Sequence, residues 1–243
     1  MTVKQVLSNL TVDGNIVRLP DVQLNYKKVY IPVKKKMELI GGKWKGGKIK
    51  GFVFDLDPTE LIQQISNGEQ RNLKKEYQFF ATPKELAQIL VEMAELQPSD
   101  KVLEPSAGQG AIIEAINEKD CTPDCYELME LNVIKLKQTG FYYNFLGNDF
   151  FNHDGRKYDK IIANPPFSKN QDIDHLKEMY CILNDGGRLV CITSESWVFG
   201  NQKKQIAFRQ WLKDVNSYVT EVPKGSFKGS GTMVGGRIVV IDK

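Results

Sequence analysis

The stretch Tyr158-Asp159-Lys160-Ile161-Ile162-Ala163-Asn164-Pro165-Pro166-Phe167 changes character halfway along. Its first six residues read as a short, largely apolar strand. Two consecutive prolines then supply no backbone N–H to a ladder, so the sheet must stop at Asn164. In an open α/β sheet, ligands collect just beyond the carboxyl ends of the strands. Asn164 therefore stands at such an edge, on a backbone stiffened by two fixed φ angles. Its side chain offers one carbonyl acceptor and one NH2 donor. The Pro165 carbonyl is a second acceptor, and Phe167 adds a flat apolar face. Two converging acceptors beside an aromatic plate fit a planar ring that bears an exocyclic amine. The plainer reading of Asn-Pro is a turn that follows a strand.

Upstream, Lys101-Val102-Leu103 reads as a strand that runs into Glu104-Pro105-Ser106-Ala107-Gly108-Gln109-Gly110 and then a helix, Ala111 to Asn117. Glycines at a strand-to-helix turn let a ligand approach the backbone closely. A dinucleotide loop is the obvious rival. However, the third glycine of G-x-G-x-x-G is missing, and the Glu104 carboxylate would repel a pyrophosphate. An acid there suits a cationic ligand. Cys125-Tyr126-Glu127-Leu128 reads as the next strand, ending in an acid. Glu127 lies 17 residues beyond Gly110, near the spacing at which an acid takes ribose hydroxyls; Glu130 is the second candidate. Leu131 to Lys137 is a helix ended by Gly140, and Phe145 to Phe150 is a third strand with its exit. A capped helix precedes all of this: Thr82 reads as its N-cap and Pro83 as its first residue, with an apolar period from Glu85 to Leu96.

Downstream, residues 168–174 are polar. Ile173 to Leu183 is a helix stopped by Asp185-Gly186-Gly187, and Arg188 to Thr193 is a strand. Ser194 to Gln202 reads as a loop that carries Trp197. Lys203 to Lys213 is a helix with Phe208 and Trp211 facing inward. Tyr218 to Val222 and Arg237 to Ile241 are the last strands, separated by a loop that holds Phe227.

The first third of the chain differs in charge. Residues 1–78 carry 14 lysines and arginines against 8 acids, a surplus of six, whereas residues 79–243 carry 19 against 22. A polyanion would use the first region. Residues 1–75 read as a small basic α+β module and 76–243 as the main α/β domain, with residues 71–76 as a polar linker. Leu24 to Ile40 has helical potential. Gly46-Gly47 lies between two β-like runs and predicts a hairpin. Lys43, Lys45 and Lys48 alternate along it with Trp44, Ile49 and Phe52, so that one face packs and the other meets phosphates. A solvated lysine face on a structural cap is the competing reading. Asp57-Pro58 then opens a helix through Ile65.

Cys121, Cys125, Cys181 and Cys191 lack zinc spacing and a nearby histidine, so they read as reduced thiols, and no metal site is expected. No run reaches membrane-spanning length and no apolar segment opens the chain, which predicts a soluble, cytoplasmic protein without membrane partners.

NPPF after an apolar strand, with VLEPSAGQG and F-x-T-P upstream, resembles the S-adenosylmethionine-dependent amino-methyltransferases. The adenine-N6 DNA methyltransferases of phage and mobile-element type are the nearest pattern, and the likeness runs in consistent order from about Phe79 to the end. It implies a seven-stranded, mostly parallel class I methyltransferase (Rossmann-like) sheet with helices on both faces and an antiparallel last strand, Arg237 to Ile241. It implies S-adenosylmethionine as cofactor, whose sulfonium and ammonium suit Glu104. Thr82 and Pro83 would line the methionine part. Pro105, Ser106, Ala107, Gly108 and Gly110 would form the loop, Glu127 would take the ribose, Asp149 the adenine N6, and Phe150 would pack on that ring. For Asp149, a turn cap is the other reading. Asn164, Pro165, Pro166 and Phe167 would act on a flipped DNA adenine, with Phe227 sandwiching the base against Phe167. Many relatives carry Tyr where this chain has Phe167, which keeps the ring and loses a hydroxyl. NPPF also occurs in RNA guanine-N2 methyltransferases; a protein glutamine target and a non-catalytic DNA-binding module are further alternatives. Only about 30 residues separate Glu195 from Phe227, too few for a large specificity domain. Recognition would then rest on residues 1–75, on loops or on a partner protein.

Overall fold

The computed structural model describes residues 1–73, 81–223, 225–226 and 235–243. The chain divides into two compact units, Met1–Gln78 and Phe79–Lys243.

The second unit is built on one sheet. Seven strands are β5 (Val102–Glu104), β6 (Asp124–Tyr126), β7 (Asn144–Gly147), β8 (Tyr158–Ala163), β9 (Leu183–Ser194), β10 (Tyr218–Glu221) and β11 (Gly236–Asp242). They are ordered β10-β11-β9-β8-β5-β6-β7. Pairs from β7 through to β9 are parallel, while β11 runs antiparallel to both of its neighbours. This is the expected arrangement, antiparallel last strand included. Side-chain alternation along each strand sends Leu103, Ile161, Leu189 and Val239 to one face, and Val102, Ile162, Val190 and Val240 to the other. Helices α7 (Gln171–Cys181) and α9 (Lys203–Asp214) cover the first face with Leu176, Met179, Phe208 and Leu212. Helices α4 (Lys84–Ala94) and α5 (Ala111–Asn117) cover the second, and α6 (Glu130–Lys137) adds Leu136 to a smaller cluster with Ile113 and Cys125. Burial of both faces explains why the central strands read as continuous apolar runs.

Several boundaries differ from the sequence expectation. Helix α4 starts at Lys84 with Pro83 in the cap position, and Thr82 gives no capping bond. Helix α7 ends at Cys181, and β9 starts before the Asp185-Gly186-Gly187 punctuation. The glycines serve there as an irregularity inside a strand: the register with β8 shifts between Tyr158↔Leu183 and Lys160↔Arg188, and Gly186 takes a φ of +79°. The expected loop after Ser194 contains a short helix, α8 (Ser196–Phe199). Trp197 is buried on it; its indole N–H donates to Thr193 Oγ1 at 2.9 Å, and its ring meets Phe208 edge-on.

The first unit has its own core of Val6, Val17, Val33, Met37, Phe52 and Ile65. A four-stranded antiparallel sheet runs β1-β2-β4-β3, from β1 (Thr11–Asp13), β2 (Ile16–Arg18), β3 (Lys43–Lys45) and β4 (Gly51–Val53). Helices α1 (Val3–Ser8), α2 (Ile31–Leu39) and α3 (Thr59–Ser66) pack on it. The segment with helical potential, Leu24 to Ile40, splits into a π turn, Tyr26–Tyr30, and α2. The Gly46-Gly47 hairpin forms with Trp44 paired to Phe52. Asp57, the expected N-cap of α3, accepts from the Thr59 N–H and hydroxyl but lies one residue ahead of the observed cap, Pro58.

Candidate active site

Strands β5 and β8 lie side by side in parallel, with Leu103 opposite Ile161. From β5 the chain builds outward to β6 and β7, then returns to the other side through β8 and β9. The strand order therefore reverses between β5 and β8, which is the switch point where open α/β sheets bind ligands. The loops that leave these two strands are Glu104 to Gly110 and Asn164 to Phe167, the two segments singled out in the sequence.

Glu104 ends β5 and is 2% exposed. Its Oε2 has no partner among the described residues. Burial, with the nearby Glu127 charge adding to it, holds this carboxyl well above the usual carboxylate range; a backbone hydrogen bond from Ile113 opposes the shift. An orphaned acid of this kind is a ready site for a cation. The following loop bends through left-handed glycines, Gly108 at φ +57° and Gly110 at φ +91°. A Cβ on Gly110 would stand 2.7 Å from Leu136 Cδ1, so only glycine lets α5 start this close to α6. Pro105 and Ala107 are buried and Ser106 half-buried.

Glu127 stands just past the end of β6 and is buried. Its carboxylate accepts from Gly108 N–H at 2.7 Å, Met129 N–H at 2.8 Å and Asn132 Nδ2 at 3.1 Å. Burial raises its pKa, against the lowering effect of those three donors. The acid thus ties the glycine loop to the start of α6, and about one acceptor position of the carboxylate is left open. Asn132 also accepts from Gln109 Nε2. Nothing in the sequence spacing marked Asn132; its role follows from α6 turning back toward the loop.

Asn164 is half-buried, and its Nδ2 donates to Thr82 Oγ1 at 3.0 Å. This bond joins the F-x-T-P and NPPF segments, and it is what Thr82 does in place of capping. Among the described residues no donor engages Asn164 Oδ1, which is therefore an available acceptor. Pro165 is buried, while Pro166 and Phe167 are half-buried. Phe167 packs against the cluster that contains Leu86, Ile192 and Val222. Lys169 and Asn170, next in the chain, both have left-handed backbones, at φ +53° and +57°. Asn170 is held by Ser196 Oγ and Gln205 Nε2 on its Oδ1, and its Nδ2 donates to Gln202. Asp172 is fully buried; it accepts from Ser194 N–H at 2.8 Å, and its Oδ1 has no partner among the described residues. Burial raises its pKa against the Ser194 bonds. Sequence reading gave Asn170 and Asp172 no role, because their partners come from separate later segments: Ser194 at the end of β9, Ser196 on α8, and Gln202 and Gln205 at the start of α9.

Two residues assigned to the cofactor adenine are engaged elsewhere. Asp149 caps the turn Phe150–Asn152 by accepting from Phe151 N–H at 3.0 Å. Phe150 is 2% exposed, stacked on His153 and His175 and met edge-on by Tyr126. That ring is core rather than an open face. Asp149 still borders a groove of about 370 Å³ lined also by Tyr126, Asn148 and Asn152. Phe227 and Phe80 lie outside the described residues, so the base sandwich has only its Phe167 half on view. Among the described residues the four cysteines are free thiols and no acid, histidine or cysteine group is arranged to hold a metal. Among them, too, no helix is long and apolar enough to cross a membrane. In the first unit, Lys43, Trp44, Lys45 and Lys48 are exposed. Trp44 shares the packed side of β3 with Phe52, and alternation sends Lys43 and Lys45 to the other side.

No family model matches the sequence. Solved structures with the same fold include a modification subunit ascribed to a type I restriction enzyme of Vibrio vulnificus (17% identity, TM-score 0.54, covering 76% of this chain and 47% of that one). The EcoKI M protein of a type I restriction enzyme is similar (17%, TM-score 0.53, 78% and 52%). So is a Pyrococcus horikoshii protein ascribed to the RNA methyltransferases (16%, TM-score 0.50, 69% and 88%). The chain thus spans about half the length of the two restriction-system subunits. The shared feature is the class I methyltransferase fold.

Proposed function

We propose that this protein transfers a methyl group from S-adenosylmethionine to the N6 amine of an adenine in DNA. The observation that carries the reading is the Asn164 side chain at the switch point, fixed through its NH2 to Thr82 with its carbonyl free to accept. An exocyclic amine has its lone pair delocalised into the ring and is a weak nucleophile. Asn164 Oδ1 and the Pro165 carbonyl would take its two hydrogens and favour a tetrahedral nitrogen, which puts acceptors where positive charge develops. Phe167 would stack on the ring, and the base would leave the duplex to reach it. S-adenosylmethionine supplies an electrophilic methyl group on a sulfonium. Glu104 would hold its cationic part, the backbone at Ser106, Gly108 and Gly110 would line the loop beside it, and Glu127 would use its remaining acceptor position on the ribose. Asp149, at the rim of the groove beside Tyr126, would take the adenine edge, while Thr82 would act through Asn164. Support for DNA comes from the basic first unit, where Lys43, Lys45 and Lys48 would meet phosphates and Trp44 the bases, and from the likeness to the restriction-system subunits. A partner protein would supply further site recognition.

The test is transfer of a tritiated methyl group to unmethylated DNA, total RNA and a protein extract, followed by nucleoside and amino-acid analysis. N6-methyldeoxyadenosine is the expected product. Label confined to RNA guanine or to protein glutamine would keep the fold and replace the substrate. Asn164→Ala should lower turnover about 10²–10³-fold and leave the cofactor dissociation constant unchanged; native turnover in that variant would remove Asn164 from the mechanism.

A further inference from the structure

The first unit carries a run of aromatic rings that leads from its core to solvent. Phe52 is fully buried, and Trp44 packs on it with ring centroids 5.1 Å apart. Tyr30 meets Trp44 edge-on at 6.3 Å. Tyr26, one helical turn before Tyr30, stacks on it at 5.6 Å with the planes 17° apart. At the outer end, Tyr26 is 65% exposed, and Trp44 is 38% exposed. An exposed tyrosine stacked flat on a second ring that is itself braced by the core is a rigid apolar plate, which folding alone does not require.

The charge around these rings is one-sided. Residues 26–50 contain nine lysines and one acid, Glu38. Lys34 lies 3.7 Å from Glu38, and Lys43 lies 3.4 Å from Asp55. Lys27, Lys28, Lys35, Lys36, Lys45, Lys48 and Lys50 make no ion pair or side-chain hydrogen bond among the described residues, and all except Lys35 and Lys36 lie in the π turn or the hairpin that carry the rings. Unpaired cations beside stacked aromatics match a strand with phosphates on one side and open base faces on the other. In a duplex the base faces are covered by their neighbours, so a flat ring can stack only where a strand is single. We infer that Tyr26, Tyr30 and Trp44 form a stacking platform for a single strand of DNA, with Lys27, Lys28 and the hairpin lysines taking its phosphates. The choice of DNA rests on the function proposed above; the rings and the charge do not. Such a platform would hold an unpaired stretch and so favour substrates with single-stranded or locally opened segments.

The test is fluorescence anisotropy of the full chain with a labelled single-stranded DNA oligonucleotide, its duplex and its RNA counterpart, over a range of salt. Single-stranded DNA should bind tightest. Tyr26→Ala and Tyr26→Leu should each weaken single-strand binding at least about 5-fold, in line with the value of one stacked base, and leave its salt dependence unchanged. Because Tyr26 is exposed, both variants should keep the native circular dichroism. Lys27→Gln with Lys28→Gln should flatten the salt dependence instead. Equal affinity for duplex and single strand, or native affinity in both Tyr26 variants, would overturn the platform; a preference for the RNA strand would overturn the assignment to DNA. The same preparations in the methyl-transfer assay separate the two readings. Label on DNA adenine with no single-strand preference removes only the platform, whereas intact stacking with label elsewhere removes only the proposed substrate.

Discussion

At the scale of single residues, Glu104 carries the clearest conflict between stability and function. Its carboxyl is buried, its Oε2 is orphaned, and burial together with Glu127 holds its pKa well above that of the unfolded chain. A native state that keeps this proton while the unfolded state releases it loses stability as pH rises from the unfolded pKa through the raised folded one. Glu104→Gln removes the charge and keeps the shape. The unliganded variant should therefore melt above the native protein at about pH 8, by about 2–4 °C for each kcal/mol gained, and the difference should shrink toward about pH 4. The same change should weaken S-adenosylmethionine binding about tenfold or more, since a cation loses its counter-charge in a dry site. Calorimetric melting and titration of the two proteins check both halves. A Glu104→Gln protein that melts lower than the native one at the alkaline end would remove the stability cost, and one that binds the cofactor as tightly would remove the counter-charge role.

At the scale of elements, the segment after NPPF is held open by force from outside itself. Lys169 and Asn170 are consecutive non-glycine residues in the left-handed region, at a cost of about 1–2 kcal/mol each. What keeps them there is a polar clasp: Asn170 to Ser196, Gln202 and Gln205, and Asp172 to Ser194 N–H. Asn170→Ala removes three bonds at once. The segment should relax and Asn164 lose its rigid support, so turnover should fall about 10–100-fold while cofactor affinity and melting temperature change little. A variant with native turnover would show that the clasp only supports the fold. This clasp also marks where the sequence stopped being legible. The strands, the glycine loop and NPPF were readable because each is a local signal: an apolar run, a φ only glycine tolerates, a missing N–H. Thr82 was misread because Thr-Pro is a sound helix start by itself, and its actual partner, Asn164, lies 82 positions away. Trp197 was read as loop because a helix four residues long has no period to detect. Phe150 was given to a ligand on family likeness, although rings from other parts of the chain, Tyr126 and His175 among them, close around it. Local chemistry is encoded locally; partners supplied by the return of the chain are not.

At the scale of the whole molecule, the two units carry opposite charge. Residues 79–243 have three more acids than bases, so the unit with the candidate active site has no net attraction for a polyanion, while residues 1–78 have a surplus of six positive charges. Under the proposed function, affinity for nucleic acid would come largely from the first unit, and chemistry from the second. This division makes a quantitative claim. Replacing Lys43, Lys45 and Lys48 by glutamine removes up to three phosphate contacts, each worth about 0.7–0.9 in the slope of log affinity against log salt. The slope should therefore flatten by roughly 2–3, and binding should weaken most at low ionic strength, where the Debye length is longest. Cofactor affinity should not move, because Glu104, Glu127 and Asn164 belong to a unit with separate hydrophobic cores. Turnover at saturating DNA should also hold, with the loss appearing in the DNA concentration needed to reach it. An unchanged slope would take the hairpin out of the interface. A fall in turnover at saturation would mean that the basic unit also shapes the reacting complex.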